Sequence, residues 1–443
     1  MKLTKTKNRE NNIWTFEGTF HEKQVPKEAG FRWNPDEKCW WTDDINKAAL
    51  LHAIADDAAK SELEAVRGHQ EASFEASRAT DATLDIPAPE GLSYMPFQRA
   101  GVAYALGRDN TLIGDEMGLG KTIQALGVIN ADKNITSTLV ICPASLKVNW
   151  CREGVKWLAD VYDQRDFCII DSKSGWIGRP FTIINYDILK RFHNELRAKT
   201  WSLMIVDEAH YLKNERTQRA KHVFGYTSRD KKEVIEAIPA TRKLFLTGTP
   251  IVNRPKELWP LVHNLDPVGW PNFFKYAIRY CGAHKGQWGW DFSGATNLDE
   301  LQEKLRSTVM VRRLKKDVLK ELPAKVRQVI EVQAPGTKDQ LAKEMAEYED
   351  RLKRLVKLRA AVELAKASDD TDEYRDAMRN LKAEQAIGFD ELSRKRKEVA
   401  LLKVQTVCDH IRDCLDSVPK LVVFCHHHDV IDRICQDLVS AGV

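Results

Sequence analysis

The chain has 443 residues, of which 43% are hydrophobic and 30% are charged. This ordinary globular balance excludes wholesale disorder and collagen-like repeats, and the length predicts two to four domains at about 100–200 residues each. The formal charge of +4 is too small to argue for or against a nucleic-acid partner. Nine scattered cysteines, a polar start and the lack of any apolar run of about 18 residues predict an intracellular protein with no membrane partner.

The first two segments differ in composition from the rest of the chain. Residues 11–42 alternate apolar and polar side chains, with Trp14 and Phe16 on one strand face, and this pattern predicts a small β-rich accessory module at residues 1–56. Its aromatic side chains lie among lysines and arginines, so they either fill a small core or stack on nucleic-acid bases. Residues 57–89 are rich in Ala, Glu and Ser, which predicts a linker that is in part helical.

Residues 90–265 alternate short apolar runs with helix-like segments. Runs that are apolar at every position and bounded by turns are typical of strands buried on both faces. We therefore predict an α/β fold built on a parallel sheet that helices cover. The predicted strands are Thr111–Ile113, Leu139–Ile141, Cys168–Ile170, Phe181–Ile184, Leu203–Val206 and Leu244–Leu246.

Three further segments follow the predicted sheet. Residues 266–335 include a basic stretch, 305–330, with eight lysines and arginines against two carboxylates. Such a stretch is either a solvated face or a contact for DNA phosphates. Residues 336–416 are predicted to be helical, with an apolar stripe from Leu341 to Leu355, and Lys420–Cys425 predicts a buried strand within residues 417–443.

The strongest local signal is a glycine-rich loop that follows the first predicted strand and precedes a helix. Gly118 and Gly120 would let backbone N–H groups turn towards phosphates, at the positive end of the helix dipole. Lys121 would reach the β- and γ-phosphates, and the Thr122 hydroxyl would hold Mg²⁺. Asp115 stands where the common phosphate loop has its first glycine. A glycine turn that binds nothing is the alternative.

Two further motifs end predicted strands of the same sheet. Asp207 and Glu208 follow Leu203–Val206, where Asp207 would hold Mg²⁺ and Glu208 would orient and deprotonate a water. An Asp-Glu pair in isolation is more often an ordinary helix N-terminus. Thr247 and Thr249 follow the last predicted strand, and by their chemistry alone they form a polar turn.

The order of these motifs resembles the motor of Swi/Snf-type superfamily-two DNA translocases, which are ATPases that track along duplex DNA. The resemblance rests on Gln98 and on the runs Gly-Leu-Gly-Lys-Thr at 118–122, Asp-Glu-Ala-His at 207–210 and Leu-Thr-Gly-Thr-Pro at 246–250. It implies a RecA-like parallel-sheet P-loop lobe, with ATP and Mg²⁺ as cofactors and duplex or branched DNA as the partner. It also makes the aspartate at the start of the phosphate loop a trait of the group.

The same resemblance implies roles for further residues. Gln98 would read the adenine base, and His210, Thr247 and Thr249 would couple hydrolysis to lobe movement. Ser145, which follows the second predicted strand, would contact a DNA phosphate.

A later stretch is similar to the HARP-type annealing-helicase branch, whose members rewind or remodel branched DNA. The similarity is carried by residues 279–294, 312–318 and 322–325. It favours contact with DNA phosphates by Arg312, Arg313 and Lys315, or a brace between motor lobes.

In the terms of this family the segments are a first motor lobe at 90–265, its extension and basic brace at 266–335, a helical insertion at 336–416 and the start of a second RecA-like lobe at 417–443. The family's Gln-x-x-x-Arg-x-x-Arg block, whose arginines complete the ATP site, does not occur after Val423. We therefore expect these 443 residues to bind nucleotide and, alone, to hydrolyse it poorly.

Two alternatives remain open at this stage. One is a non-catalytic protein that binds DNA and ATP, and the other is a subunit of a phage-defence assembly. We expect a cytoplasmic protein encoded by a bacterium or a phage.

Overall fold

The structure is a computed structural model that describes all residues except 9, 10, 44, 174, 229, 251–253, 287, 288, 324, 332–349, 351, 366–370 and 443. The chain divides into two compact units, Met1–Leu322 and Pro323–Val443. No helix in the described ranges is long and apolar enough to cross a membrane.

The N-terminal module is a four-stranded antiparallel sheet in the order β1-β2-β4-β3. Trp14 and Phe16 are 3% and 2% exposed, so the predicted strand face is part of a core. That core also takes Leu63 from the helix that follows the module. The strands are β1 (Lys2–Asn8), β2 (Asn11–Glu17), β3 (Arg32–Asn34) and β4 (Cys39–Thr42), and the short helices are α1 (Gln24–Glu28) and α2 (Ile45–Ala49).

The segment predicted as a partly helical linker contains a 22-residue helix, α3 (Asp57–Arg78). Asp56 caps it, since its side chain accepts a hydrogen bond from the Ala59 N–H at 2.9 Å. Ser73 and Ser77 are buried although few large apolar residues mark this stretch. Small side chains therefore let the helix pack closely, and a count of large apolar residues underestimates such packing.

A seven-stranded parallel sheet forms the centre of the first unit, as predicted for the α/β class. All six predicted strands are present, and the edge pair Met310–Val311 adds a seventh that the sequence did not reveal. The sheet order is β15-β5-β12-β9-β6-β8-β7. Its strands are β5 (Asn110–Ile113), β6 (Thr138–Cys142), β7 (Phe167–Ile169), β8 (Phe181–Asn185), β9 (Trp201–Asp207), β12 (Ala240–Leu246) and β15 (Met310–Val311).

Helices cover both faces of this sheet, and two apolar clusters lie against it. Every residue of β6 and β8 is buried, which explains why these strands read as unbroken apolar runs. The helices are α4 (Pro96–Leu106), α5 (Lys121–Ala131), α6 (Lys147–Trp157), α7 (His193–Arg197), α8 (Gln218–Phe224), α9 (Trp259–Leu265), α10 (Phe273–Tyr280), α11 (Leu298–Thr308) and α12 (Lys315–Val318). Two hairpins complete the unit, β10 (Tyr226–Thr227) with β11 (Val234–Ile235) and β13 (His284–Gly286) with β14 (Gly289–Asp291).

The described residues of the second unit form helices joined by irregular segments. Residues 352–365 are helical and are followed by α13 (Thr371–Leu402), α14 (Val404–Ser417) and α15 (His428–Ser440). Most of the predicted apolar stripe, Leu341–Leu355, lies outside the described residues. The prediction of a buried strand at Lys420–Cys425 is wrong, because these residues form no strand and Phe424 is 92% exposed. An apolar run becomes a buried strand only beside neighbours that pair with it, and no described strand does so here.

Candidate nucleotide site

Three of the predicted motifs meet at one edge of the parallel sheet. In the register of β5, β12 and β9, Leu246 pairs with Ile113 on one side and with Asp207 on the other. The loops that follow these strands therefore leave the sheet side by side at its carboxyl edge, where ligands bind in open α/β sheets.

The phosphate loop has the backbone geometry that its glycines predict. Gly118 and Gly120 have φ of 84° and 70°, a region that glycine adopts without strain, and α5 begins directly afterwards at Lys121. Lys121 Nζ donates to the carbonyl oxygen of Asp115 at 3.2 Å. Burial lowers the pKa of the Lys121 amine, whereas Glu208, Asp115 and Asp207 oppose that shift. The lysine is thus held at the loop, and the carboxylates of Asp207 and Glu208, the acid pair, lie within electrostatic reach.

The acid pair, Asp207 and Glu208, is held by neighbours that the sequence did not assign to the nucleotide site. Asp207 is 7% exposed, and its Oδ2 accepts a hydrogen bond from Trp150 Nε1 at 2.8 Å. The Tyr186 hydroxyl donates to the Asp207 carbonyl oxygen at 2.6 Å. Burial raises the pKa of Asp207, and the Trp150 hydrogen bond acts in the opposite direction. The carboxylate is therefore fixed in direction by packing on α6.

Glu208, His210 and Thr247 form a polar chain beside the phosphate loop. Glu208 has φ of 50°, so the chain turns sharply after Asp207 and brings its carboxylate to 3.1 Å from His210 Nδ1. His210 Nδ1 also lies 3.4 Å from Thr247 Oγ1, which accepts a hydrogen bond from the Thr249 N–H at 3.2 Å. Contacts thus join the acid pair to the turn after β12, and the coupling role of His210, Thr247 and Thr249 stays a prediction.

The donors at this edge fit Mg²⁺, which prefers carboxylate and hydroxyl oxygens and keeps further positions for phosphate and water. Asp207 and Thr122 would hold the ion. Among the described residues, no three His, Cys, Asp or Glu side chains cluster as a metal site. The assignment of Mg²⁺ to Asp207 and Thr122 stays a prediction.

Asp115 lies at the centre of a buried network. Its side chain is 0% exposed and pairs with the Arg313 guanidinium, which is 2% exposed. Arg313 Nη2 donates to Asp115 Oδ2 at 2.6 Å and to Gln124 Oε1 at 2.9 Å, and its Nε donates to Asp115 Oδ1 at 3.1 Å. Its Nη1 donates to the carbonyl oxygen of Phe97. The network explains why the phosphate loop begins with an aspartate in place of glycine.

The DNA contact predicted for Arg313 is wrong. A side chain that is 2% exposed and bonded within the lobe cannot reach the phosphates of a duplex. The position of Arg313 follows from strand β15, which pairs with β5. The contact between the two segments extends beyond these strands, because the Glu116 N–H donates a hydrogen bond to the Arg313 carbonyl oxygen at 3.0 Å. The basic stretch is therefore in part the edge of the central sheet.

The other predicted DNA contacts are in different surroundings. Ser145 is exposed in the turn after β6. Arg312 is half-buried, and its Nη1 donates to the carbonyl oxygens of Gly114 at 2.6 Å and Gly248 at 3.4 Å. Lys315 lies beside the phosphate loop, where a Cβ at Gly118 would be 3.2 Å from its Nζ. Binding of DNA by Ser145, Arg312 and Lys315 stays a prediction.

Gln98 lies in the first turn of α4, and its side chain reaches the phosphate loop. Its Oε1 accepts a hydrogen bond from the Met95 N–H at 2.9 Å, and its amide nitrogen lies over Gly120, where it would overlap an added Cβ. The side chain is thus near the loop that would hold phosphates, and its reading of adenine stays a prediction. It is 9% exposed.

Sequence reasoning missed Trp150, Tyr186 and Gln124 as parts of the site. Trp150 and Tyr186 are aromatic residues of the two apolar clusters, so nothing in their residue type separates them from other core residues. Gln124 carried the clearest signal, since a polar residue at a buried helix position needs a partner, and here it is Asp115 at 2.9 Å.

Comparison with known proteins agrees with the motifs. A relative named SWI/SNF-related matrix-associated actin-dependent regulator of chromatin subfamily A-like protein 1, from Xenopus tropicalis, is 32% identical over 80% of this chain and 34% of its own length. The DNA annealing helicase and endonuclease ZRANB3 from Bos taurus is 32% identical over 78% of this chain and 30% of its own. The chain thus spans about a third of the length of these relatives, and the second name agrees with the annealing-helicase branch that the sequence resembles.

A solved structure, the Sulfolobus solfataricus SWI2/SNF2 ATPase core in complex with dsDNA, matches 68% of this chain and 60% of its own at 22% identity, with a TM-score of 0.44. Residues 97–385 match the family described as the SNF2-related domain. The chain belongs to the SNF2-related family.

Proposed function

We propose that this chain is the ATP-binding part of a DNA translocase that uses ATP hydrolysis to track along duplex DNA and remodel it. The observation that carries the proposal is the meeting of the phosphate loop, the acid pair and the turn after β12 at one sheet edge. The names of the relatives, among them a DNA annealing helicase, support DNA as the partner.

The proposed chemistry follows from the residues of the site. Lys121 and the loop N–H groups bind the phosphates, and Mg²⁺, held by Thr122 and Asp207, would supply charge neutralisation there. Glu208 accepts a proton from the attacking water and orients it. His210 Nδ1 lies 3.4 Å from Thr247 Oγ1. These two side chains would link the protonation of the acid pair to the position of strand β12.

Because a translocase couples ATP to DNA, each ligand must change the affinity for the other by the same factor. The experiment measures the dissociation constant of a fluorescent duplex oligonucleotide with no nucleotide, with MgADP and with a slowly hydrolysed MgATP analogue. We expect a change of several-fold between these states in the wild type and none in Lys121→Ala. Duplex binding that is the same in all three states would contradict the proposal.

Turnover separates a motor from a binding protein. ATP hydrolysis with and without duplex DNA is measured beside Glu208→Gln, which keeps the shape of the side chain and removes the base. We expect slow hydrolysis by these 443 residues that Glu208→Gln abolishes. A rate that is equal in both would assign the hydrolysis to a contaminant or to another residue.

A further inference from the structure

We propose that Arg313 is a positioning residue that locks the phosphate loop to the turn carrying Gln98, and thereby sets the discrimination between ATP and other nucleoside triphosphates. This inference rests on the proposed nucleotide site. It concerns a residue that the sequence assigned to DNA and that the structure places inside the lobe.

Arg313 joins three elements that would contact different parts of a nucleotide. Through Asp115 it holds the start of the phosphate loop, and through Gln124 it holds the first turns of α5. Through the carbonyl oxygen of Phe97 it holds the first turn of α4, directly before Gln98. One guanidinium therefore ties the base side of the site to its phosphate side.

The planar guanidinium suits this task. It presents five N–H donors in a fixed fork, and here the fork spans both oxygens of Asp115, one side-chain amide and one backbone carbonyl. A lysine carries the same charge on a single nitrogen and cannot reach all of these acceptors at once. Both charged side chains are nearly fully buried, so the ion pair is shielded from solvent and its geometry is strictly defined.

The surroundings leave no room for a loose fit. A Cβ on Gly101 would overlap the Gln124 amide oxygen and lie 2.5 Å from Arg313 Nη2, so α4 packs directly on the network. The Arg313 backbone is fixed as well, because its N–H donates to Asp115 Oδ1 at 2.8 Å. The position of Gln98 relative to the phosphate loop is thus set by this cluster.

The test compares the affinities for ATP and GTP, each measured by competition against an N-methylanthraniloyl-ATP probe at fixed Mg²⁺. In the wild type we expect ATP to bind more tightly than GTP. In Arg313→Lys we expect the ratio of the two dissociation constants to fall towards one, with ATP weakened about tenfold.

A double variant separates positioning from stability. Arg313→Met alone leaves a buried carboxylate without its cation, so it will lower the unfolding midpoint strongly. Adding Asp115→Asn removes that charge and should return the unfolding midpoint most of the way to the wild-type value. The hydrogen bond to the Phe97 carbonyl oxygen stays lost in the double variant. We therefore expect the double variant to be stable and still unable to prefer ATP.

Arg242→Met is the matched control. Arg242 pairs with Asp132 at 3.0 Å, both about a fifth exposed, in the same lobe and away from the site. The Arg242→Met substitution should lower stability and leave the ratio of the ATP and GTP dissociation constants unchanged.

A wild type that binds no ATP would refute the proposed function itself. A wild type that prefers ATP, together with Arg313→Lys and double variants that keep that preference, would overturn the role of Arg313 alone, as would a wild type that binds ATP and GTP equally.

Discussion

Trp150 donates a hydrogen bond to the carboxylate that is proposed to bind Mg²⁺. Its indole is 1% exposed, and Nε1 donates to Asp207 Oδ2 at 2.8 Å. Burial raises the pKa of Asp207, and this hydrogen bond lowers it by favouring the ionised form. Replacing Trp150 by Phe removes the lowering effect and leaves the carboxylate buried.

The size of the effect follows from the bond that is lost. A hydrogen bond to a charged group contributes about 1.5–3 kcal/mol, and about 1.4 kcal/mol corresponds to one pH unit. Mg²⁺ requires the deprotonated carboxylate, so Mg²⁺-dependent ATP binding falls as the pH falls through the pKa of Asp207. In Trp150→Phe that loss should occur about one to two pH units higher than in the wild type.

The assay measures the gain in ATP affinity on adding Mg²⁺, from pH 5 to pH 8, for both proteins. Trp157→Phe is the matched control, because Trp157 lies in the same helix and packs on Tyr94 with ring centroids 4.9 Å apart. Thermal unfolding at each pH verifies that the proteins are folded. The reasoning would be refuted if the pH at which Mg²⁺-dependent ATP binding is half lost were unchanged or lower in Trp150→Phe. An equal shift of that pH in Trp157→Phe would refute it too.

Three further predictions concern packing and catalysis. Gly101→Ala places a Cβ on the Gln124 amide oxygen and should cost about 1–3 kcal/mol in denaturant unfolding, whereas Gly107→Ala, whose added Cβ would lie 3.8 Å from the carbonyl oxygens of Ala103 and Tyr104, should be neutral. Leu63→Ala empties a fully buried position in the core of the N-terminal module and should cost about 2–5 kcal/mol, while ATP affinity stays unchanged. Glu208→Gln should keep ATP affinity within about threefold and abolish turnover, and a rate above background would exclude Glu208 as the base.

The sequence predicted the central sheet well, because its strands are buried on both faces and read as unbroken apolar runs. It also predicted which loops meet, since the carboxyl ends of parallel strands share one edge. The edge pair Met310–Val311 escaped notice because two residues carry too little pattern to identify a strand.

The charged residues were harder to place. Arg312 and Arg313 read as one basic stretch, yet the first is half-buried beside Gly248 and the second is paired with Asp115, 198 residues earlier in the chain. Local charge does not reveal such a distant partner. The apolar run Lys420–Cys425 illustrates the converse, because a strand also depends on neighbours that lie elsewhere in sequence.

The most direct test of the central claim is equilibrium binding of MgATP to the wild type and to Lys121→Ala, with unfolding midpoints measured in parallel. If the loop at 115–122 holds the phosphates, the wild type binds one ATP and Lys121→Ala loses at least about tenfold in affinity with its midpoint preserved. Equal affinities in two folded proteins would contradict the assignment of this nucleotide site.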